Sequence, residues 1–375
     1  MTDGYAQETI WLNGRTIPVS DILAGRAEAL TDFEENTIDF IQLWLSGQQS
    51  FTIHTSGSTG TPKPIIITRE QMTGSAKRTL EALTITAGQS ALICLPTQYI
   101  AGRMMIVRAL VGNLKIVAVE PSSNPLLAAD NRVIDFAAFV PLQLHSILES
   151  SDTLEKINTI KTILVGGAKI NPTTIDMVKE LKSRVILTYG MTETISHVAF
   201  QYLNRDDAEM NFNALPGISF STDDRDCLII TDENLAVPVI TNDRVRLISA
   251  TAFQLLGRYD DMINSGGIKY APESIENQII DLLPKALKTM PFIVGPYPDP
   301  LLGEAIALYM EGCDLKKDQI MEIQYILNRL KKRERPRKII LISKFCYTTS
   351  GKINRRETIE KGKTSTESII VIKIF

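Results

Sequence analysis

The stretch TILVGGAKINPTTIDMVKELKSRVILTYGMTET, residues 162–194, decides the fold. Its two β-branched runs, TILV and RVIL, are apolar on both faces and enclose a segment with helical spacing. Asn171-Pro172 opens that segment, Asn suited to cap it and Pro to its first turn. A strand–helix–strand unit of this kind predicts a parallel pair covered by the helix. Upstream, ALICLP (91–96), LKIVAVE (114–120) and FAAFV (136–140) repeat the strand pattern with helical stretches between them. The expectation is a mostly parallel, helix-covered sheet.

After Leu215 the rhythm changes. Residues 226–261 hold short strands and polar turns without a long helix, which predicts a small antiparallel β subdomain. Beyond GRYDD (257–261) comes a separate α+β piece. Pro272 opens a helix, FIVGPY (292–297) and EAIALYME (304–311) are strand-like, and 314–330 is an amphipathic helix with Ile320, Ile323, Leu327 and Leu330 on one face. The reading is α/β, with a large N-terminal domain over 1–257 and a small α+β C-terminal domain over 258–375. The basic run KKRERPRK (331–338) reads as a solvated connector, and the apolar SIIVIKIF (368–375) as an edge strand or a frayed tail.

Composition narrows the function. Lys plus Arg number 40 and Asp plus Glu 43 in 375 residues, a net charge of −3 that lacks the basic field of a nucleic-acid binder. No run of about 18 apolar residues is present, so no membrane insertion is expected. The polar N-terminus does not read as a signal peptide. The four cysteines have neither metal-ligand nor redox spacing, and the three histidines do not cluster. A cytoplasmic chain with reduced thiols follows as the expectation.

Four motifs carry chemistry. Thr55-Ser56-Gly57-Ser58-Thr59-Gly60-Thr61-Pro62-Lys63 lies between two apolar runs and offers backbone N–H groups, hydroxyls and one ammonium to phosphate oxygens. It is not a Walker A loop, since Lys63 follows Pro62 and no helix begins at once. Tyr189-Gly190-Met191-Thr192-Glu193-Thr194 ends a strand where ligands bind in α/β sheets; it offers an aromatic face, a hydroxyl and a hard oxygen ligand. Gly257-Arg258-Tyr259-Asp260-Asp261 precedes Ser265-Gly266-Gly267-Ile268-Lys269, and Thr349-Ser350-Gly351-Lys352 sets a lysine in a small-residue turn.

In this order the motifs resemble the adenylate-forming superfamily of acyl- and aryl-CoA ligases, luciferases and peptide-synthetase adenylation domains, over about Phe51 to Arg356. The resemblance implies ATP, Mg2+ and coenzyme A as co-substrates and activating ion, and a small carboxylic acid as substrate. It implies that the 55–63 loop binds ATP phosphates and that Gly166-Gly167-Ala168 with Tyr189 forms the adenine slot. Thr192 would touch the α-phosphate and Glu193 would hold Mg2+. Asp243 and Arg258 would contact the ribose, and Asp260 would be the hinge of a mobile lid carrying the catalytic Lys352. Gly266 and Gly267 would line a pantetheine tunnel.

Two positions depart from the family pattern. Its usual Thr-Gly-Asp is here Thr241-Asn242-Asp243, and Tyr99 occupies the usual histidine position of Pro96-Thr97-Gln98-Tyr99-Ile100-Ala101-Gly102. Only 54 residues precede Thr55, so much of an N-terminal subdomain is expected to be missing. That compactness, with LPTQYIAGRMMIVRAL and LVGGAKI, resembles the o-succinylbenzoate–CoA ligases of menaquinone biosynthesis. Arg103 and Arg108 are then candidates for the acid's second carboxylate, with Tyr99, Ser196 and His197 as further pocket candidates. Solvent-facing arginines and an ordinary helix histidine are the bland alternatives. Another acyl- or aryl-CoA ligase, a carrier-loading enzyme, a non-catalytic nucleotide-binding relative, and a homodimer all stay open.

Overall fold

The computed structural model describes residues 5–54, 64–168, 170–204, 211–284, 287, 290–312, 315–347, 353–364 and 369–373. The Thr55–Lys63 loop and Lys352 lie outside the described residues. The chain forms two compact units. The first is Met1–Phe220 with Ile230–Val239 and Ile248–Phe253; the second is Ser221–Ile229 with Ile240–Leu247 and Gln254–Phe375.

In the first unit the strands are β1 (Thr9–Leu12), β2 (Arg15–Pro18), β3 (Ser50–His54), β4 (Pro64–Thr68), β5 (Ser90–Ile93), β6 (Lys115–Ala118), β7 (Phe136–Phe139), β8 (Thr162–Val165), β9 (Arg184–Gly190), β10 (His197–Tyr202) and β11 (Phe212–Ala214). The helices are α1 (Val19–Leu23), α2 (Asp32–Leu45), α3 (Arg69–Leu83), α4 (Ile100–Val111), α5 (Pro141–Glu149), α6 (Ser151–Ile157) and α7 (Pro172–Lys179). The sheet runs β11-β10-β9-β8-β7-β5-β6-β1-β2. From β9 through β8, β7, β5 and β6 to β1 every pairing is parallel, while β10, β11 and β2 join antiparallel. All four residues of β5 and of β8 are buried, which is why these strands read as unbroken apolar runs. Asn171 caps α7 by accepting from Thr174 N at 2.7 Å, with Pro172 in the first turn, as its sequence predicts. Strands β3 and β4 pair antiparallel as a sheet of their own, and residues 55–63 lie between them in sequence.

In the second unit, parts of β13 (Cys227–Asp232), β14 (Val239–Ser249) and β15 (Ala252–Arg258), which follow β12 (Ile218–Thr222), are neighbours in that order. A further sheet is built from β16 (Ile263–Ser265), β17 (Ile268–Tyr270), β18 (Phe292–Asp299), β19 (Gly303–Glu311), β20 (Lys338–Ile342) and β21 (Ile369–Lys373), in the order β17-β16-β19-β20-β21 with β18 on β19. Helices α8 (Pro272–Leu282) and α9 (Lys317–Arg329) bury Ile275, Ile279, Ile323 and Leu327 against Val294, Leu308, Ile339 and Leu341. Helix α10 (Arg355–Thr364) approaches Tyr309 so closely that a Cβ at Gly362 would lie 2.7 Å from its ring. The apolar C-terminal stretch is an edge strand over 369–373, antiparallel to β20.

Two expectations shift. The buried face of α9 and the residue after it is Ile323, Ile326, Leu327 and Leu330, and Ile320 is only partly covered. The division expected at 257/258 falls inside the second unit, which also takes 221–229, 240–247 and 254–257. Side-chain bonds explain this: Arg225, Asn242 and Arg244 from those strands engage Tyr259, Asp260 and Met262.

One buried ion pair braces the first unit. Arg78 donates through Nη1 and Nη2 to Asp232 at 2.9 and 2.8 Å, and Asn234 N adds a donor at 2.9 Å. Burial alone would raise the Asp232 pKa, but the Arg78 and Asn234 donors outweigh it and hold it below the usual carboxylate value. Its stabilisation is therefore present above the unfolded carboxylate pKa and is lost as pH falls through the depressed folded one. Asp232→Ala strands a buried guanidinium and should cost about 3–5 kcal/mol in thermal or denaturant unfolding; a wild-type midpoint would contradict the pairing's role.

Candidate active site

The first unit gathers Gly166, Gly167, Tyr189, Gly190 and the Thr192–Thr194 turn around the carboxyl ends of β8 and β9. These strands are parallel neighbours, so their ends lie side by side. A Cβ on Gly166 would sit 2.4 Å from the Thr188 side-chain Oγ1, and Gly167 has φ +89°, so packing favours glycine at the first position and backbone conformation at the second. Ala168 follows and is exposed. Tyr189 is buried, with its ring 5.0 Å from Phe253 edge-on and 5.6 Å from Phe212. The aromatic residue expected to face a base is thus also anchored in an aromatic cluster that no sequence spacing disclosed.

The chain then reverses sharply. Thr192–Thr194 is a 3-10 turn with Glu193 exposed and Thr192 half-buried. Ile195, buried, has φ +67° and ψ −45°, and Ser196 N donates to Thr194 O at 2.6 Å. This is a γ-turn of the strained hand, held by a β-branched residue. It allows β10 to pair back on β9, and at Gly190 the two strands come so close that a Cβ would meet Ser196 O at 2.3 Å.

Behind that turn lies Arg108. Helix α4 carries it into the interior, 3% exposed, and burial lowers its pKa to about 9, which leaves it protonated at pH 7. It has no ion pair among the described residues. Nη2 donates to Ser196 Oγ at 2.5 Å and lies 3.5 Å from His197 Nδ1, and Nε has no partner. His197 Nε2 is 2.8 Å from Thr79 Oγ1, whose hydroxyl reaches Ser75 O at 3.0 Å. Burial, then the charges of Arg108 and Arg78, holds the imidazole pKa far below its ordinary value. His197 is therefore neutral, its Nδ1 accepting and its Nε2 donating. Thr79 was missed by sequence reading, because nothing in the pattern of α3 sets it apart.

The two arginines of α4 diverge. Arg103 donates to Thr97 O at 3.0 Å and Thr52 O at 3.1 Å, tying the loop before α4 to strand β3. Its guanidinium serves backbone carbonyls, whereas that of Arg108 meets no carboxylate among the described residues. Tyr99, half-buried, is the N-cap residue of α4 without a side-chain cap bond.

The second unit holds the other candidates. Arg258 Nη1 lies 3.3 Å from Asp243 Oδ1, and Nη2 donates to Asp260 Oδ2 at 3.0 Å. Burial opposes the guanidinium charge, but Asp243, Asp260 and Asp261 outweigh it and raise its pKa. Gly266 and Gly267, with φ of +60° and +81°, form the two-residue loop between β16 and β17. A hairpin loop with positive φ at both positions favours glycine by itself, so these two residues have a structural cause independent of any ligand. Lys269 Nζ reaches Tyr259 OH at 3.2 Å.

With this geometry in place, comparison decides the family. The AMP-binding enzyme family matches residues 20–238. The chain belongs to that family. The resemblance to the adenylate-forming superfamily is thereby borne out, and the helix-covered parallel sheet is the fold expected of it. A 2-succinylbenzoate–CoA ligase of Lactococcus lactis (strain IL1403) is 26% identical over 88% of this chain and 78% of its own length. An acyl-CoA synthetase (AMP-forming)/AMP-acid ligase II-like protein from Dyadobacter fermentans is 36% identical, with TM-score 0.61 over 91% of this chain and 97% of that one. An o-succinylbenzoate CoA synthetase of Bacillus subtilis, solved with its acyl-adenylate intermediate, has TM-score 0.66 at 20% identity over 82% of this chain and 68% of its own, a likeness of fold. No helix among the described residues is long and apolar enough to cross a membrane.

Gly190→Ala tests the turn. Its Cβ would press on backbone atoms of Ser196 and His197, which cannot rotate away. A loss of about 1–3 kcal/mol is expected, as for overpacking elsewhere, with thermal unfolding as the measurement; wild-type stability would show that the strands separate freely here.

Proposed function

We propose that this enzyme activates a carboxylic acid as its adenylate and passes the acyl group to coenzyme A, with o-succinylbenzoate as the acid. The observation that carries the substrate is Arg108. A buried cation without a carboxylate is costly to keep, and a substrate with a second carboxylate supplies the missing partner. Ser196 Oγ, beside Arg108 Nη2, adds a hydroxyl of the polarity a keto-acid requires. Neutral His197 stands beside Arg108 without adding a second buried charge.

The activating half proceeds by attack of the acid's carboxylate on the α-phosphate of ATP, releasing pyrophosphate. The thiol of coenzyme A then displaces AMP. Neither half needs an enzyme nucleophile; the chain must position two anions and offset developing charge. In this proposal the 55–63 loop and Lys352 bind and neutralise phosphate oxygens, Thr192 adds a hydroxyl, Tyr189 and Gly166–Ala168 take the base, and Asp243 and Arg258 take the ribose. Exposed Glu193 would hold the magnesium ion through its carboxylate. That ion would supply charge neutralisation at the polyphosphate. Residues 1–257 would act as the nucleotide-binding body and 258–375 as a lid turning about Asp260, in a cytoplasmic enzyme of menaquinone biosynthesis.

ATP–pyrophosphate exchange across a panel of carboxylic acids, followed by mass detection of the CoA thioester, tests the reading. Exchange with o-succinylbenzoate and thioester formation are expected; exchange with none of the acids would overturn it. Lys352→Ala should slow adenylation on the order of 10²–10³-fold. Arg108→Met should raise KM for the dicarboxylate roughly 10–100-fold, with unfolding temperature held or increased. A stability loss with unchanged KM would make Arg108 structural.

A further inference from the structure

At Thr241-Asn242-Asp243 the family's usual central glycine is replaced by an amide side chain, and both ends of that amide are engaged. Asn242 Nδ2 donates to Asp260 Oδ2 at 3.1 Å, and its Oδ1 accepts from Arg225 Nη1 at 2.9 Å. Arg225 is itself held. Its Nε and Nη2 lie 2.8 and 2.7 Å from Asp223 Oδ2, Nη2 reaches Thr241 O at 3.3 Å, and the guanidinium lies 5.2 Å from the Tyr259 ring centroid. Arg258 gives the same Asp260 oxygen a second donor at 3.0 Å. The Asp260 carboxylate is thus gripped by β14 through Asn242 and by its own segment through Arg258. A backbone rotation at Asp260 that carries the carboxylate away breaks the Asn242 bond, and Arg258 can follow only by giving up its 3.3 Å contact with Asp243, on the same strand as Asn242.

We propose that Asn242 is a latch on the hinge, oriented by Arg225, that slows the exchange of the Asp260 segment between two arrangements. The functional part rests on reading Asp260 as the hinge of an adenylating enzyme. The side chains of Asp260 and Arg258 are 43% and 42% exposed, so solvent weakens the grip. A bond of that kind retards the hinge and does not lock it.

Hydrogen exchange on the full chain without ligand tests the latch, read on peptides covering 258–263, where Met262 N is bonded to Tyr259 O at 3.3 Å. Asn242→Ala and Asn242→Gly should each speed exchange there roughly three- to tenfold, the size of one partly exposed charge-assisted bond, while peptides of α9 stay unchanged. Unchanged exchange over 258–263 in both variants overturns the latch, as does uniform acceleration throughout the second unit. In single-turnover assays the same variants should speed transfer of preformed adenylate to coenzyme A relative to adenylate formation, at unchanged KM for ATP. Equal effects on both steps would remove the functional role. A wild-type chain that forms no adenylate would defeat the proposed activity, and the exchange experiment would still decide the latch.

Discussion

A protonated, buried guanidinium is the constraint around which the polar groups behind the first unit's strand ends are arranged. Arg108 is 3% exposed and meets a hydroxyl and an imidazole where an ion pair would be the ordinary solution. Burial keeps His197 neutral, and the Arg108 charge 3.5 Å away adds repulsion to that cost. The Arg108 donor facing Nδ1 leaves the ring proton on Nε2, which calls for Thr79 as acceptor. Ser196, which meets Arg108, follows Ile195, whose backbone conformation β-branched residues avoid. The strained turn, the close approach at Gly190 and the polar chain into α3 adjoin one another.

The second unit uses charge differently. Around Asp260, Arg258 is shared between two carboxylates, and Asn242 and Arg225 extend the network across the strands that precede it. Here the groups are partly exposed, so each bond is weak and the network can rearrange. A buried cation beside the strand ends and a solvated cluster around Asp260 differ in what they permit: the first holds its neighbours fixed, the second can rearrange.

Much of this was legible in residue order. Unbroken apolar runs marked β5, β7 and β8 because strands buried on both faces need no alternation, and Asn171-Pro172 marked the start of α7. The ordered motifs pointed to the family for a chemical reason: phosphate, metal and ribose each demand a short, distinctive set of side chains. The partition into compact units was less visible. Strands near 221–247 read as part of the large domain, yet three of their side chains bind the segment after Arg258 and draw them into the second unit.

The sequence alone determined which elements form and which chemical groups are offered, because both follow from local spacing and residue type. The tertiary structure decided what each group does. Arg103 and Arg108 sit five positions apart on one apolar helix and look alike in sequence, yet one clasps two backbone carbonyls and the other is a charge without a carboxylate. That difference depends on which distant segments, Thr52 for one and Ser196 for the other, fold against the helix. Spacing along the chain carries no record of such meetings.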